Sequence, residues 1–239
     1  MSRPEIILID IDGTMTGYHS VQKQSDLSPL VHLENLVIKK YGLSREEANK
    51  KICSCGDMEV QCLSEFLPAL GIDPQDYFNV LADDYRKYIY ITDDTIRLFK
   101  YLKKKGLAVY TATTNSEFCT RIKLSLGGLA DLESCPFLTG YCPGCMFKDP
   151  LGKYSPSYYP DILKHYSFDP ETVMMIGDEP NRDMLPAMKA GIRYGVTIDR
   201  QQKEPLFQKN GGIYLNSFDS LIELFENNDP MLSGKNQLN

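Results

Sequence analysis

Short apolar runs alternate with longer amphipathic segments along most of this chain. The apolar runs have the length of buried strands, and they predict strands at 6–9, 107–112, 136–139, 173–176, 194–198 and 213–215. Segments with helical spacing of apolar residues lie between them, at 92–106, 117–126, 156–166, 184–190 and 218–225. Strands that alternate with helices form a parallel sheet covered on both faces. The pattern therefore predicts an α/β fold.

The stretch 15–91 differs, because nearly all of it has helical spacing. Ser28-Pro29 is typical of a helix start, Gly42 of a helix end, and Ser44 with Glu47 of a capping box. Further helices are predicted over 58–70 and 73–85. We expect a small four-helix module inserted after the first strand. The predicted division is a core of 1–14 and 92–228, a helical cap of 15–91, and a disordered tail of 229–239.

Composition excludes several classes of function. The 239 residues carry a net charge of −6 without a long basic run, which argues against a nucleic-acid surface. No apolar segment approaches the roughly 20 residues that span a bilayer. The N-terminal residues show no signal-peptide pattern, and seven cysteines without one suggest reduced thiols. We expect a cytoplasmic globular protein that binds neither nucleic acid nor membrane.

Acidic residues follow two of the predicted strands. Asp10 and Asp12 lie where the first strand ends, and residues two apart on an extended chain point the same way. Asp178 and Asp183 follow the strand at 173–176. Parallel sheets bind ligands at the carboxyl ends of their strands, so all these carboxylates are expected in one crevice. Clustered carboxylates need a cation, and oxygen ligands suit Mg²⁺.

Two further segments are suited to a phosphate group. The strand at 107–112 leads into a polar stretch at the start of a helix, where hydroxyl and backbone N–H groups can bind an anion. The candidates there are Thr111, Thr113, Thr114 and Asn115. Lys153, just before another helix, can offset carboxylate charge.

These motifs resemble those of the haloacid dehalogenase-like superfamily, and in particular its Mg²⁺-dependent aspartyl-phosphate phosphatases. The matching positions, in order, are Asp10-Ile-Asp12-Gly-Thr14, the threonine at the end of the second core strand, Lys153, and Gly177-Asp178 with Asp183. The resemblance implies a Rossmann-like core with a helical cap between the first and second motifs.

The resemblance also implies roles for these residues. Asp10 is the expected nucleophile and Asp12 the acid and base. Mg²⁺ is expected on the Asp10 carboxylate, the Asp12 carbonyl and Asp178, with Asp183 completing or orienting the shell. Lys153 and a threonine are expected to hold the phosphoryl oxygens. The usual spacing in the family favours Thr113 as this threonine. Thr111, two residues earlier, would face the same side of the strand and stays an alternative.

Other functions stay open beside a phosphatase of a small phosphorylated metabolite. A phosphomutase shares the whole core, and a non-enzymatic member would bind a phosphorylated ligand. A dehalogenase lacks the carboxylate at Asp12, and a binding protein has no need of it. The sequence names neither the substrate nor the oligomeric state.

The cysteines depart from the family pattern. The two-residue spacing of Cys142 and Cys145 suits zinc or a redox pair. No second pair has this spacing and no histidine lies nearby, so free thiols are the favoured interpretation and a Zn²⁺ site is the alternative. The sequence also does not say whether zinc binds Cys53, Cys55, Cys62 or Cys135. His19, in the linker after Asp12, is a candidate for the wall of the substrate pocket.

Overall fold

A computed structural model describes residues 3–19, 21–22, 26–59, 61–147, 149 and 151–232, with Cys145 described by its backbone only. The strands are β1 Ile6–Ile9, β2 Thr16–Tyr18, β3 Ile89–Ile91, β4 Ala108–Thr113, β5 Gly140–Pro143, β6 Val173–Gly177, β7 Tyr194–Ile198, β8 Leu206–Lys209 and β9 Gly212–Leu215. The α-helices are α1 Pro29–Tyr41, α2 Arg45–Cys53, α3 Pro74–Tyr85, α4 Asp93–Lys105, α5 Glu117–Ser125, α6 Tyr158–Tyr166, α7 Met184–Lys189 and α8 Phe218–Glu226. The predicted tail extends from 229 to 239, and its residues 233–239 lie outside the described residues.

Seven strands form one sheet in the order β5-β4-β1-β6-β7-β9-β8. All neighbours are parallel except β8 and β9, which form an antiparallel hairpin at the edge. β1 lies in the middle, with Ile9 beside Thr111 of β4 and Ile176 of β6. The carboxyl ends of β1, β4 and β6 therefore meet at one edge of the sheet.

Helices cover both faces of this sheet. Ile7 and Ile9 of β1 pack into a buried cluster with Leu98 of α4 and Phe218 of α8. Leu8 points the other way, into a cluster with residues of α6 and α7. A central strand buried on both faces accounts for its unbroken apolar run. The predicted α/β fold with a Rossmann-like parallel sheet is confirmed.

The helices of the inserted stretch have the predicted caps. Ser28 accepts a hydrogen bond from the Val31 amide, Gly42 ends α1 in the left-handed conformation, and Ser44 with Glu47 forms a capping box. Helices α1, α2 and α3 share a buried cluster that also contains Phe118 and Ile122 of α5. The domain boundaries at 14/15 and 91/92 stay a prediction. None of the described helices is both long and apolar enough to cross a membrane.

Several predicted elements are wrong. The strand predicted at 136–139 is a turn, and β5 begins at Gly140; Phe137 and Leu138 are apolar because they pack on the core from this turn. The helix predicted at 58–70 is reduced to a 3-10 turn at Leu63–Phe66, although Phe66 and Leu70 are buried as its spacing suggested. Val60 within it lies outside the described residues.

Short strands were also missed. β2 and β3 pair in an antiparallel two-stranded ribbon within a stretch that the sequence predicts to be helical. β8 lies in a segment for which no strand was predicted. Each of these strands has three or four residues, too few for a period-two pattern to be distinguished from a loop.

A buried polar network supports the loop after β1. Thr95 donates a hydrogen bond to the Met15 carbonyl, and Arg200 donates to the Gly13 carbonyl. Asp94 joins these groups, because it accepts hydrogen bonds from the Thr95 amide, the Phe218 amide and Arg200. Burial alone would raise the pKa of Asp94, but hydrogen bonds from the Thr92 hydroxyl and the Phe218 amide, together with Arg200, outweigh it and the net shift is downward. The network therefore fixes the loop that carries Asp12.

Removing the carboxylate of Asp94 should destabilise the fold. We expect Asp94→Ala to lower the free energy of unfolding by about 2–3 kcal/mol, because buried donors lose their acceptor. Since the pKa of Asp94 is depressed in the fold, its stabilisation is present above about pH 4 and is lost as pH falls further. Urea unfolding measures both effects. The neighbouring, exposed Asp93→Ala is the control and should cost about 0.5 kcal/mol; equal losses would contradict the role of Asp94.

Candidate active site

Asp10 and Lys153 form the centre of the site. The Asp10 amide donates to the Ile176 carbonyl of β6, which fixes Asp10 at the end of β1 with 8% of its surface exposed. Lys153 lies in a 3-10 turn at Gly152–Tyr154, and its Nζ is 2.7 Å from Asp10 Oδ1. The same ammonium group also contacts Asp183. One buried lysine thus bridges two buried carboxylates.

The carboxylates outnumber this lysine. Oxygen atoms of Asp10, Asp178 and Asp183 lie within 4.8 Å of one another. Burial raises the pKa of Asp10 to about 7 despite the opposing effect of Lys153, and Asp183 adds to the rise. Burial also raises the pKa of Asp178 to about 6, against the hydrogen bond from Thr14. The site therefore has an excess of negative charge that a cation would relieve.

The residues present fit a Mg²⁺ ion. Oδ1 of Asp183 is buried, and beyond its ion pair with Lys153 no donor hydrogen-bonds it among the described residues. Its other oxygen accepts from the Glu179 amide at 3.0 Å, which orients the group. A compact set of carboxylate oxygens is the chemistry that hard divalent cations prefer. Asp10, Asp178 and Asp183 are thus suited to hold the ion.

Two glycines make room for these carboxylates. Gly13 has φ +79°, and a Cβ there would lie 2.1 Å from Asp178 Oδ2. A Cβ at Gly177 would lie 2.1 Å from Asp183 Oδ2. The glycines after β1 and at the end of β6 therefore allow backbone and carboxylate to approach closely.

Asp12 faces away from this cluster, toward α5. Both of its carboxylate oxygens are 2.7 Å from Lys123 Nζ, and Asn115 Nδ2 donates to Oδ2 at 2.7 Å. Lys123 also donates to Asn115 Oδ1, so the three side chains form a closed triangle. Burial alone would raise the pKa of Asp12, but Lys123 and Asn115 outweigh it and lower the pKa. Asp12, the predicted acid and base, is thus ion-paired with Lys123.

Lys123 was not among the site residues predicted from the sequence. It lies in the middle of α5 with 8% of its surface exposed, and its ammonium is 5.6 Å from the centre of the Tyr85 ring. A signal was available, because a lysine on an inward face of a short helix needs a partner. Nothing in the sequence, however, says that this partner is Asp12, which lies 111 positions earlier.

The two candidate threonines occupy different places. Thr113 ends β4 at the cavity, and its hydroxyl accepts from the amide and side chain of Asn115. Thr111 is buried within the strand, where its hydroxyl accepts from the Cys142 amide of β5. The geometry thus favours Thr113 for a phosphoryl group and gives Thr111 a role in the sheet.

A cavity of about 600 Å³ opens above these groups. Its wall includes Asp10, Asp12, Thr113, Thr114, Lys123, Lys153, Asp178 and Asp183. Asn115 contacts the site through Asp12 and Thr113. His19 does not line the cavity; it is exposed, with its ring 4.9 Å from that of Tyr90. The structure therefore brings the predicted site residues together, except Thr111 and His19, and adds Lys123 to them.

The described cysteines carry free thiols. Cys53, Cys55, Cys62, Cys119, Cys135 and Cys142 form no disulfide. Cys142 is fully buried in β5, and burial raises the pKa of its thiol to about 12, which disfavours the thiolate that zinc requires. The side chain of Cys145 lies outside the described residues. Among the described side chains, Asp10, Asp178 and Asp183 form the one cluster of three or more potential metal ligands.

Comparisons with known proteins agree with this architecture. The family model of haloacid dehalogenase-like hydrolases matches residues 4–191, which is more than half of the chain. No curated protein matches the sequence.

Solved structures share the fold at low sequence identity. An HAD phosphatase from Thermococcus onnurineus has a TM-score of 0.54 and 18% identity over 92% of this chain and 97% of its own. A 2-haloacid dehalogenase from Pseudomonas syringae has a TM-score of 0.53 and 15% identity over 94% of this chain and 99% of its own. A proposed β-phosphoglucomutase from Thermotoga maritima has a TM-score of 0.51 and 19% identity over 93% of this chain and 99% of its own. Because these proteins differ in chemistry, the shared fold does not select a reaction.

The fit around Gly13 can be tested directly. We expect Gly13→Ala to weaken Mg²⁺ binding by roughly 10–100-fold, because the new methyl group displaces Asp178. Isothermal titration with Mg²⁺ measures the affinity. Gly106→Ala is the matched control, since Gly106 has φ +70° and nothing lies within 4 Å of the place that a methyl group would take. If both variants bind Mg²⁺ equally, Asp178 is not a ligand.

Proposed function

The chain belongs to the haloacid dehalogenase-like hydrolase family, and we propose that it is a Mg²⁺-dependent phosphatase that hydrolyses a small phosphomonoester through an aspartyl-phosphate. The observation that carries the proposal is the position of Asp10. It is buried beside Lys153 at the floor of the cavity, within a carboxylate cluster and two residues before Asp12. A binding protein would not need this concentration of charge.

In the first step an Asp10 carboxylate oxygen attacks phosphorus, and the bond from phosphorus to the leaving oxygen breaks. Lys153 and Thr113 hold the phosphoryl oxygens. Asp10, Asp178 and Asp183, with the Asp12 carbonyl, would hold a Mg²⁺ ion, whose positive charge would reduce repulsion between the carboxylate and the phosphoryl group. Asp12 must enter this step protonated; it gives that proton to the leaving oxygen, which departs as an alcohol.

In the second step Asp12 takes a proton from water, and the water oxygen attacks the phosphorus. The bond from phosphorus to Asp10 breaks, which releases inorganic phosphate and restores the carboxylate. In the present structure both oxygens of Asp12 are occupied by Lys123 and Asn115. We infer that Asp12 Oδ2 takes up a proton and turns to the leaving oxygen when substrate binds, while Oδ1 stays with Lys123.

A phosphomutase is a weaker candidate. Such an enzyme must bind a second phosphate group, which requires another cation in the cavity. Of the cations on the described wall besides Lys153, Lys123 is paired with Asp12, and Arg182 Nε lies 2.9 Å from Glu179 Oε2. This pairing favours hydrolysis.

A cytoplasmic location is part of the same proposal. The described cysteines carry free thiols, and thiols stay reduced in a cytoplasm. Small phosphorylated metabolites are charged and are retained in the same compartment.

Hydrolysis of p-nitrophenyl phosphate tests the proposed function. We expect turnover with Mg²⁺, its loss on chelation with EDTA and its return when Mg²⁺ is added back. Asp10→Asn should abolish turnover, because the amide cannot form the covalent intermediate. Asp76→Asn, an exposed change on α3, is the control and should retain the activity. An Asp10→Asn protein that is as fast as the wild type would refute the mechanism.

Lys123 should act as a positioning residue for Asp12. We expect Lys123→Met to lower kcat by about 10-fold or more with a smaller change in KM, since Asp12 loses the partner that orients it. Lys123→Arg keeps the positive charge and should recover part of the rate. Steady-state kinetics with the exposed Lys104→Met as control measures the effect. A rise in KM alone would instead show that Lys123 binds substrate.

A further inference from the structure

Beyond the carboxylates, tyrosine is the most frequent residue on the cavity wall. Tyr18, Tyr85, Tyr88 and Tyr154, here called the tyrosine wall, all line it, together with apolar side chains that include Ile89. The same wall also carries polar side chains, at Asp26, Ser28, Glu179 and Arg182, that can bond the hydroxyl groups of a sugar. The tyrosine rings add a flat, apolar surface that suits a planar group.

The two-stranded ribbon fixes part of the tyrosine wall. Tyr18 and Ile89 are direct partners across β2 and β3, so their side chains project from the same face of the ribbon. The His19 amide donates to the Tyr88 carbonyl at 2.9 Å, which extends the pairing to Tyr88. Tyr90 is on the opposite face, 41% exposed and absent from the cavity wall. The ribbon therefore presents Tyr18 and Ile89 to the cavity on a rigid backbone, and Tyr88, in the turn before β3, also lines the cavity.

The other tyrosines are also held in place. The Tyr85 ring, at the end of α3, lies 5.6 Å from the Lys123 ammonium, which is itself tied to Asp12. Tyr154 follows Lys153, and the Arg182 guanidinium lies 5.0 Å from the centre of its ring. Aromatic groups thus approach the reaction centre from both the inserted stretch and the core.

The size of the cavity agrees with a substrate larger than a phosphorylated two- or three-carbon acid. Its volume of about 600 Å³ lies within the usual range for sites that enclose a ligand of drug size. A short aliphatic phosphate would leave the tyrosine wall without contact. Flat nucleobases, in contrast, stack on tyrosine rings with little demand on sequence or hydrogen bonding.

We propose that the substrate is a phosphomonoester whose leaving group carries a planar heteroaromatic ring, as in a nucleoside 5′-monophosphate, and that this ring stacks on the tyrosine wall. The proposal rests on the proposed phosphatase function and adds the class of its substrate. The phosphate occupies the floor at Asp10 and Lys153, and the ring lies against the ribbon.

The test compares matched substrates on the full-length protein with Mg²⁺. Nucleoside 5′-monophosphates and ribose 5-phosphate share the same phosphorylated sugar and differ in the base. We expect kcat/KM to be about 10-fold or more higher with the base present. Pyridoxal 5′-phosphate, glucose 6-phosphate and glycerol 3-phosphate complete the panel. Pyridoxal 5′-phosphate as the preferred substrate would also support a ring-bearing leaving group, and would exclude nucleotides as the physiological source.

Variants of the ribbon locate the effect. Tyr18→Leu should bring the ratio of the two kcat/KM values, nucleotide over ribose 5-phosphate, toward one, whereas Tyr18→Phe should keep it. Tyr90→Leu, on the outer face of the same ribbon, should leave the ratio at the wild-type value. Thermal unfolding confirms that the variants are folded.

The outcomes separate the two proposals. If ribose 5-phosphate or glucose 6-phosphate is hydrolysed as well as or better than the ring-bearing substrates, the substrate class is wrong and the phosphatase function stands. If Tyr18→Leu and Tyr90→Leu change the ratio equally, stacking on the ribbon is wrong. If no phosphomonoester is hydrolysed with Mg²⁺, the proposed function itself fails.

Discussion

The site depends on the close approach of carboxylates around a single buried lysine. Asp10, Asp178 and Asp183 place oxygen atoms within 4.8 Å of one another, and Lys153 contacts two of these residues. Like charges at this distance repel strongly where water is excluded. The fold imposes this arrangement, because β1 and β6 are neighbouring parallel strands and end at the same edge. The resulting demand for a cation is the basis of the proposed magnesium chemistry.

The rest of the structure supports this arrangement. Gly13 and Gly177 allow the backbone to pass close to the carboxylates, and the Glu179 amide orients Asp183. On the opposite side of the loop, Arg200 bonds the Gly13 carbonyl and is itself held by Asp94. Such support is what a preorganised catalytic site requires, because a nucleophile must be held in place before the substrate arrives.

Asp12 occupies a second environment two residues away. Whereas Asp10 meets other carboxylates, Asp12 meets Lys123 and Asn115, and the pKa values of the two aspartates shift in opposite directions. Two carboxylates on one short segment thus receive different electrostatic surroundings. The proposed mechanism needs an ionised Asp10 and a protonated Asp12, so it requires a cation beside Asp10 and a change of partners at Asp12 Oδ2 before the first step.

Much of this could be predicted from the sequence, and the exceptions have physical causes. The apolar runs and the helix caps predict the sheet and most helices. The positions of the carboxylates directly after parallel strands predict that they lie close together. The ribbon of β2 and β3 has three residues in each strand, too few for a pattern to emerge. The pairing of Lys123 with Asp12 and of Arg200 with Asp94 spans more than 100 positions in each case. Such contacts are created by the tertiary fold, and no local pattern predicts them.

Mass spectrometry can detect the proposed aspartyl-phosphate. The full chain with Mg²⁺ and a phosphomonoester would be quenched in acid during the first turnover, digested and sequenced. We expect one phosphoryl group on the peptide that contains Asp10, localised to Asp10 and removed by hydroxylamine. Turnover without any phosphorylated Asp10, or a phosphoryl group on another residue, would refute the covalent mechanism.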